Sequence, residues 1–341
     1  MNASERPNIK HPVEAWRMGS YLCPGCRSFV SLEGCPVLHE SLCPYCNESY
    51  FIPKQLGKFW LFRNLGGGGG GAVYEAFHED FPDKLYAVKI LPPNTSKQLI
   101  GNLAYEAQVM ERLRSHECIA NSLAWGELNG EHYIAMDFVE GERMDYKIRR
   151  LGKLSEEEMI LIMLRLIAAE VHIYNRGFLY RDMKPQNVIL NGEGGAFLFD
   201  FGICVTIREA MDDSAELIAG TPMYFPPERL TGEGENVHSE IYSMGMVMYF
   251  GLTGKNFFTN REIEAMQAKD TLPATMLSRN KMEGISPELA QVVTKMIQRA
   301  PKKRYQRFMD LERDLLRILW VRSKRNKRGL VLIQETFDPY E

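Results

Sequence analysis

The sequence has no apolar run long enough to cross a bilayer. Its most apolar helical stretches, residues 159–174 and 241–252, are short, and charged residues interrupt the first of them. The start, MNASERPNIKHPVEAW, is polar throughout and has no signal-peptide pattern. From these absences we expect a soluble, cytoplasmic protein whose apolar helices form its core and not a membrane span.

An excess of charge of either sign is also absent. The 341 residues carry a formal net charge of −3, with 45% hydrophobic and 25% charged residues, which are ordinary globular values. This balance argues against a globally basic nucleic-acid binder but does not exclude a local basic patch. The length allows two domains, or one large domain with an appendage.

Cysteine is scarce, but four of the seven cysteines have metal-ligand spacing. Cys23 and Cys26 form one CxxC knuckle, and Cys43 and Cys46 form a second one after a gap of sixteen residues. Two such knuckles predict a structural four-thiolate Zn²⁺ site, with disulfides or a rubredoxin-type iron site as the alternatives. A module of about 30 residues is too small to fold without such a metal.

Two further residues of this zinc ribbon, Cys35 and His39, lie in the loop between the knuckles and are interpreted as bystanders. The odd cysteine total and the knuckle spacing agree with a reducing compartment. The role of the ribbon stays open at this point. It would either brace the neighbouring domain or bind a protein or nucleic-acid partner.

Residues 180–202, YRDMKPQNVILNGEGGAFLFDFG, concentrate two carboxylates, an amide and a lysine. Asp182 precedes Asn187 by five residues and Asp200 by eighteen, and Lys184 lies between the first two. Residues 188–190 and 196–199 are predicted to be two short strands joined by a turn. Such a hairpin would bring Asn187 close to Asp200.

This set of side chains suits phosphoryl transfer, which depends on positioning and on compensation of the phosphate charge. Mg²⁺ prefers oxygen ligands, and Asn187 and Asp200 fit that duty. Asp182 would orient the acceptor hydroxyl and accept its proton. Lys184 would stabilise the γ-phosphate as its charge moves.

The motifs YRDMKPQN and DFG resemble the catalytic loop and the metal-binding triplet of eukaryotic-type (Hanks-type) protein kinases. Tyr180 stands where the family more often has His. Lys184 with Pro185 resembles the Ser/Thr-directed branch. The resemblance therefore implies transfer of the γ-phosphate of ATP to serine or threonine hydroxyls of protein substrates, including autophosphorylation.

A glycine-rich segment, FWLFRNLGGGGGGAVYEAF, is predicted to be a strand, a turn and a strand. Glycine lets the backbone approach phosphate oxygens closely, although six consecutive glycines could equally form a flexible linker. The flanking strands and the following YAVK motif favour the nucleotide-binding interpretation. The resemblance assigns this role to Gly66, Gly68, Gly71, Val73 and Ala87.

Lys89 lies in an apolar strand, where a lysine is costly to bury without a partner. In the family this lysine grips the α- and β-phosphates and pairs with a helix glutamate. Residues 97–114 have helical periodicity, and Glu106 matches that glutamate better than its rival Glu111. The resemblance also identifies a hinge that meets adenine, at Met136, Asp137 and Val139.

Residues 220–228, GTPMYFPPE, resemble the closing part of the family's activation segment. We expect Glu228 to pair with Arg304. Glu240 replaces the aspartate that normally anchors the catalytic-loop backbone, and its longer side chain puts that geometry in question.

An arginine at position 181 commonly contacts a phosphorylated activation segment, so the resemblance implies a switch by phosphorylation. Ser214 and Thr206 are the candidate sites, ahead of Thr221, which the family uses structurally. A solvated polar loop without such a switch is the alternative.

The implied fold class is α+β, a bilobal protein-kinase fold with a β-rich N-lobe and a helical C-lobe, preceded by the small zinc ribbon. The predicted boundaries are a flexible N-terminus (1–20), the ribbon (21–50), a linker (51–58), the kinase domain (59–320; N-lobe 59–138, C-lobe 142–320) and a basic tail (321–341). The tail could contact an acidic partner, nucleic acid or membrane lipid, or form a solvated helix end.

Two other functions compete with catalysis. A pseudokinase scaffold would keep the fold without turning over ATP, and the entropy cost of ordering six glycines favours it. Alternatively, the ribbon would bind nucleic acid with the kinase as its regulator.

Overall fold

The computed structural model describes residues 11–68, 70–192, 194–212, 221–259, 262 and 282–325. The chain divides into two units, Met1–Glu111 with Asn121–Phe138, and Arg112–Ala120 with Val139–Glu341. The first unit is rich in strands and the second is mostly helical. The predicted α+β, bilobal fold class is therefore confirmed.

Strands dominate the described part of the first unit. They are β1 (Ser20–Leu22), β2 (Phe29–Ser31), β3 (Glu40–Leu42), β4 (Ser49–Phe51), β5 (Lys54–Leu56), β6 (Phe59–Gly68), β7 (Gly71–His78), β8 (Phe81–Ile90), β9 (Ser122–Leu128) and β10 (Glu131–Asp137). Its helices are α1 (Pro12–Arg17) and α2 (Lys97–Arg112), the second of which ends at the boundary with the other unit.

Two short antiparallel hairpins, β1–β2 and β3–β4, form the predicted ribbon. Each turn is closed by a backbone hydrogen bond, from Arg27 N to Cys23 O at 3.0 Å and from Asn47 N to Cys43 O at 2.9 Å. Arg27 and Asn47 both have a φ near +60°. The two knuckles thus have equivalent backbone geometry, so each hairpin presents its pair of cysteines in the same way.

Part of residues 1–20, which the sequence predicts to be flexible, has regular secondary structure. Residues 1–10 lie outside the described residues, but helix α1 follows directly, and the imidazole of His11 accepts a hydrogen bond from Val13 N at 3.3 Å. Trp16 on this helix is buried against Trp60, with ring centroids 6.0 Å apart. Because burial of a tryptophan stabilises the segment that carries it, residues 12–17 are ordered.

The predicted linker, residues 51–58, is also structured. Strand β5 pairs antiparallel with β6, with Gln55 opposite Trp60. It forms the edge of a six-stranded sheet in the order β5-β6-β7-β8-β10-β9. Ile52 is buried in the core of the ribbon and Leu56 in the core of the sheet. The short connector between the ribbon and the sheet is therefore itself a strand of the sheet.

Helices dominate the described part of the second unit. They are α3 (Met144–Leu151), α4 (Glu156–Asn175), α5 (Ile207–Ala210), α6 (Pro227–Thr231), α7 (Val237–Thr253), α8 (Pro287–Met296) and α9 (Phe308–Arg325). Its short strands are β11 (Glu142–Arg143), β12 (Phe178–Leu179), β13 (Val188–Leu190), β14 (Ala196–Leu198) and β15 (Val205–Thr206).

Helices α4 and α7 form the centre of this unit. The hydroxyl of Ser155 caps α4 by accepting a hydrogen bond from Glu158 N at 3.2 Å, as the sequence predicts. Helix α7 ends at Gly254, whose φ is +69°. A Cβ atom at Gly254 would lie 1.9 Å from the carbonyl oxygen of Gly152, so only glycine fits this helix end.

The predicted basic tail begins as helix, because α9 continues to Arg325. Arg322 donates hydrogen bonds to Glu156 and, at 2.7 Å, to the hydroxyl of Ser286. Its positive charge is therefore paired with a carboxylate of the same unit. Residues 326–341 lie outside the described residues. Among the helices that the structure describes, none is both long and apolar enough to span a membrane.

Candidate active site

The glycine-rich segment forms the end of the hairpin between β6 and β7. Gly68 lies opposite Gly71, and Gly66 lies opposite Val73. Gly71 has a φ of +114°, and a Cβ atom there would lie 2.6 Å from the carbonyl oxygen of Ile90. Glycine is therefore required at position 71, and the segment is a hairpin instead of the flexible linker that its composition allowed.

Lys89 on β8 and Glu106 on α2 form a buried ion pair, with Nζ 2.7 Å from Oε2. A Cβ atom built on Gly70 would lie 3.9 Å from the same Nζ, so the glycine turn passes over the lysine. Val73 is the register partner of Lys89 across the sheet. The predicted lysine, its glutamate and the glycine turn therefore lie together in the first unit.

The other predicted nucleotide contacts of this unit lie on the neighbouring strand. Ala87 and Met136 are register partners on β8 and β10, and both are buried. Asp137 ends β10, where its backbone N–H donates to the carbonyl of Asn121 at 3.0 Å and its carboxylate accepts from Lys84 at 2.8 Å. The third hinge residue, Val139, belongs to the second unit.

Asp182 is the centre of a hydrogen-bonded cluster in the second unit. Its Oδ2 accepts from Nζ of Lys184 at 2.8 Å and from Nδ2 of Asn187 at 2.7 Å. The Asp182 backbone carbonyl accepts from the same Nδ2 at 3.1 Å. Because both bonds engage the amide nitrogen of Asn187, its amide oxygen is the atom suited to a metal ion.

The predicted hairpin that carries Asn187 and Asp200 is confirmed. Strands β13 and β14 pair antiparallel with Val188 opposite Leu198, and Phe199 N donates to the Asn187 carbonyl at 3.3 Å. Asp200 follows directly, with a left-handed φ of +65° that is uncommon for a non-glycine residue. The hairpin thus brings the backbones of Asn187 and Asp200 close together. Their side chains offer an amide oxygen and a carboxylate, a donor set that fits Mg²⁺.

Tyr180 contacts the DFG segment through its ring and its hydroxyl. Its ring is fully buried and lies edge-on to Phe201, with centroids 5.4 Å apart. Its hydroxyl donates to the carbonyl of Phe199 at 2.6 Å. Tyrosine therefore provides a hydrogen-bond donor at the position where the related family more often has histidine.

The backbone of Arg181 is anchored by Glu240. Arg181 N donates to Glu240 Oε1 at 3.0 Å and to Oε2 at 3.3 Å, so the longer side chain reaches the loop despite the doubt raised by the sequence. Burial raises the pKa of Glu240 to about 7, against the lowering effect of Arg229. Burial and the neighbouring Glu240 raise the pKa of Glu170 well above its usual range.

Glu170 on α4 and Glu240 on α7 therefore form a carboxyl pair that keeps a proton at neutral pH. Glu240 accepts an N–H bond and lies near two arginines, so it is the ionised member, and the neutral Glu170 donates to it. The helical periodicity of the sequence does not predict this pair, because Glu170 lies on an otherwise apolar face of α4.

Glu228 pairs with Arg304, as the sequence predicts. Nη1 of Arg304 lies 2.6 Å from Oε1 and Nη2 lies 2.8 Å from Oε2, and both residues are buried. Burial alone would raise the pKa of Glu228, but hydrogen bonds from His238, Arg304 and Ser239 together lower it to about 2. The pair therefore ties helix α6 to the segment before α9.

The structure describes two of the three candidate regulatory residues, Thr206 and Arg181. The hydroxyl of Thr206 caps helix α5 by accepting from Glu209 N at 3.2 Å, and it donates to Glu209 Oε2 at 2.7 Å. Ser214 lies outside the described residues. The guanidinium of Arg181 is buried beside Glu235, a residue that belongs to none of the sequence motifs.

The four predicted metal ligands of the ribbon converge. The sulfur atoms of Cys23, Cys26, Cys43 and Cys46 all lie within 4.8 Å of one another, and two of the separations are 3.5 and 3.6 Å. Ligands at about 2.3 Å from a tetrahedral zinc ion would lie about 3.8 Å apart. The separations exceed the roughly 2.05 Å of a disulfide bond, so the geometry fits a metal ion.

Sequence comparison relates the chain to a known family and to curated proteins. The family model described as protein kinase domain matches residues 59–315. The chain is 28% identical to a probable serine/threonine-protein kinase PknB of Lactococcus lactis over 269 residues, 76% of this chain and 42% of that protein. It is 27% identical to the serine/threonine-protein kinase PrkC of Bacillus subtilis over 261 residues, 76% of this chain and 40% of that protein.

A third relative, the serine/threonine-protein kinase PknD of Mycobacterium tuberculosis, is 27% identical over 263 residues. This match covers 76% of the chain and 39% of the relative. The chain thus spans about two fifths of the length of these curated relatives. Residues 59–315, which the family model matches, contain the clusters around Lys89 and Asp182.

Proposed function

This chain belongs to the protein kinase domain family, and from that premise we propose that it transfers the γ-phosphate of ATP to serine or threonine hydroxyls of proteins, its own among them. The observation that carries the proposal is the Asp182 cluster. Oδ2 of Asp182 accepts hydrogen bonds from both Lys184 and Asn187. Asn187 directly precedes the hairpin that leads to Asp200. The relatives named above are serine/threonine kinases, which supports the choice of hydroxyl.

Asp182 orients the acceptor hydroxyl and accepts its proton. Lys184 and Asn187 both approach Oδ2, so the other oxygen, Oδ1, is suited to the substrate hydroxyl. Lys184 lies close enough to stabilise the transferred phosphoryl group as its charge changes.

Asn187 and Asp200 hold magnesium through oxygen atoms in this proposal. When bound, Mg²⁺ supplies compensation of the phosphate charge. The hydrogen bonds to Asp182 fix the Asn187 amide, and the hairpin fixes the backbone beside Asp200. Both ligands are therefore held in place before the nucleotide arrives.

The first unit positions the nucleotide. Glu106 holds the Lys89 ammonium in one orientation, which prepares it for the α- and β-phosphates. Gly66, Gly68 and Gly71 let the hairpin backbone approach the phosphates. The contacts of this unit with the base are assigned to Val73, Ala87, Met136 and Asp137.

The test is transfer of labelled phosphate from ATP with Mg²⁺, to the protein itself and to a generic basic protein. We expect label on serine or threonine that is lost in Asp182→Asn and in Lys89→Met. Glu233→Gln, an exposed carboxylate of the second unit, is the matched control and should keep the label. Absence of label in the parent protein, with ATP still raising the melting temperature, would instead support the scaffold function.

We also propose that the ribbon holds a structural Zn²⁺ ion and braces the sheet that carries the glycine turn. Trp16 lies against Phe62 as well as Trp60, with ring centroids 5.7 Å apart. Glu79 accepts from Trp60 Nε1 at 2.9 Å and from Arg17 at 3.2 Å. Binding of a protein or nucleic acid to the ribbon stays a prediction.

A further inference from the structure

The side chain of Arg181 already has an acidic partner. Its Nη2 lies 2.7 Å from Oε1 of Glu235, and the two side chains are 9% and 4% exposed. Arg181 has a left-handed φ of +66°. This backbone conformation is costly for a residue other than glycine and needs support from neighbouring residues. The residue directly precedes Asp182, so whatever fixes it also fixes the start of the catalytic loop.

Glu235 joins a second arginine to the same loop. Arg229 donates to Glu235 Oε2 from Nε at 2.9 Å and from Nη2 at 2.6 Å, a bidentate geometry. The remaining terminal nitrogen of Arg229, Nη1, donates to the Arg181 carbonyl at 2.7 Å. One carboxylate therefore holds the side chain of Arg181 directly and its backbone through Arg229.

The same residue also anchors the start of the activation segment. Glu235 N donates to the carbonyl of Ala210, at the end of helix α5, at 2.7 Å. Glu235 thus connects the catalytic loop with the chain that follows the DFG triplet. These contacts lie wholly within the described part of the second unit.

The charges of this cluster balance without a phosphate. Arg181 and Arg229 provide two positive charges, and Glu235 and the ionised Glu240 provide two negative ones. Nε of Arg181 is buried and has no hydrogen-bond partner among the described residues, so a phosphate would have to displace protein atoms to reach it. A phosphoryl group of charge about −1.5 to −2 would therefore leave the cluster with an excess of buried negative charge.

We propose that Glu235 is a positioning residue that gives Arg181 the negative charge for which other kinases use a phosphorylated activation segment. The catalytic loop is then ordered for phosphoryl transfer before any phosphorylation of that segment. This inference rests on the proposed kinase function and concerns its regulation. Ser214 and Thr206 are accordingly not needed as switches.

The experiment compares phosphate-free protein with protein incubated with magnesium ATP. The full chain is treated with phosphatase, which is then removed, and intact mass confirms the phosphate-free state. Initial rates on a generic basic protein are then measured for the parent chain, Glu235→Gln and Glu235→Asp. Glu233→Gln is the matched control, since this exposed carboxylate lies two residues away in the same segment.

We expect the phosphate-free parent to work without a lag, at a rate within twofold of that after incubation with ATP. Ser214→Ala should keep that rate. Glu235→Gln should lose tenfold or more in kcat, with the KM for ATP within twofold of the parent, and Glu235→Asp should recover part of the loss. A tenfold activation of the parent by phosphorylation of residues 213–220 would overturn the inference, and so would a fully active, folded Glu235→Gln variant.

A readout independent of activity separates this inference from the proposed function. Hydrogen–deuterium exchange of the peptide that covers residues 177–187 should be faster in Glu235→Gln than in the parent, and unchanged in Glu233→Gln. An inactive parent that shows this pattern would contradict kinase activity and still support the positioning role. Equal exchange in Glu235→Gln and in the parent would contradict the positioning role.

Discussion

Lys89 and Glu106 form an ion pair of 2.7 Å whose two side chains are 11% and 5% exposed. The sequence left Glu111 as a rival partner, and the structure pairs the lysine with Glu106. Removal of one member of a buried pair leaves an uncompensated charge and typically costs about 3–5 kcal/mol. The pair therefore links the stability of the first unit to the orientation of the phosphate-binding lysine.

Replacement of Glu106 by glutamine should lower both stability and activity. We expect a loss of about 3 kcal/mol in unfolding free energy, and a KM for ATP raised at least tenfold because the lysine loses its orientation. Chemical denaturation and initial rates measure the two effects. Glu111→Gln, on the exposed face of the same helix, should change the unfolding free energy by no more than about 0.5 kcal/mol and the KM for ATP by less than twofold. An equal effect of the two variants would refute the pairing.

Replacement of Tyr180 by phenylalanine should weaken the support of the DFG segment. The Phe199 carbonyl would lose its part-buried donor at 2.6 Å, at a cost of about 1–3 kcal/mol. We expect a roughly tenfold lower rate of transfer, since about 1.4 kcal/mol corresponds to that factor. Tyr180→His should retain more activity than Tyr180→Phe, and Tyr146→Phe, on the exposed face of α3, serves as the control. Equal activity of Tyr180→Phe and the parent would contradict the role of this hydrogen bond.

The Glu228–Arg304 pair should stabilise the second unit in a defined pH range. The pKa of Glu228 is lowered from 4.5 to about 2 in the folded state, so its contribution is present above about pH 4.5 and is lost as the pH falls towards 2. Glu228→Gln should cost about 3–5 kcal/mol at pH 7. Denaturation at several pH values should show this difference shrinking below pH 4.5. A difference that does not depend on pH over this range would contradict the assigned charge state.

The Glu170–Glu240 pair should act in the opposite direction. Burial and the neighbouring Glu240 raise the pKa of Glu170 well above its ordinary value, and burial raises that of Glu240 to about 7, so the folded pair keeps a proton on Glu170 that the unfolded chain releases. Stability should therefore fall as the pH rises from about 4.5 to 7, by about 1.4 kcal/mol per pH unit for one retained proton. Glu170→Gln keeps a neutral donor beside Glu240 and should remove much of this dependence of stability on pH. The same variant should preserve activity, whereas Glu170→Leu should lower the activity. An unchanged slope in Glu170→Gln would show that the pair holds no proton.

Metal removal should affect the sheet as well as the ribbon. We expect one zinc ion per chain by elemental analysis, and chelation should lower the melting temperature and change the fluorescence of Trp16 and Trp60, which pack together. It should also raise the KM for ATP, because β6 leads into the glycine turn. Cys43→Ser should reproduce these effects, and Cys35→Ser, outside the four-sulfur cluster, should not. Iron in the analysis, or loss of free thiols, would support the alternative sites.

The sequence alone was sufficient wherever contacts are local or where a motif has one chemical purpose. The β13–β14 hairpin follows from two apolar triplets around a glycine turn, and the N-cap of α4 follows from a serine before three glutamates. The spacing of Asp182, Asn187 and Asp200 is tied to that hairpin. These features depend on neighbouring residues, so their physical determinants can be read from the order of the chain.

Only the tertiary structure decided which distant charges meet. Arg181, Arg229 and Glu235 are separated by up to 54 positions, and nothing in their spacing predicts one shared carboxylate. The same holds for Trp16, which hydropathy left in a loosely packed terminus but which lies against Trp60 of the sheet. The physical reason is that such pairs depend on how whole helices and strands pack, because burial selects partners by position in space and not by separation along the chain.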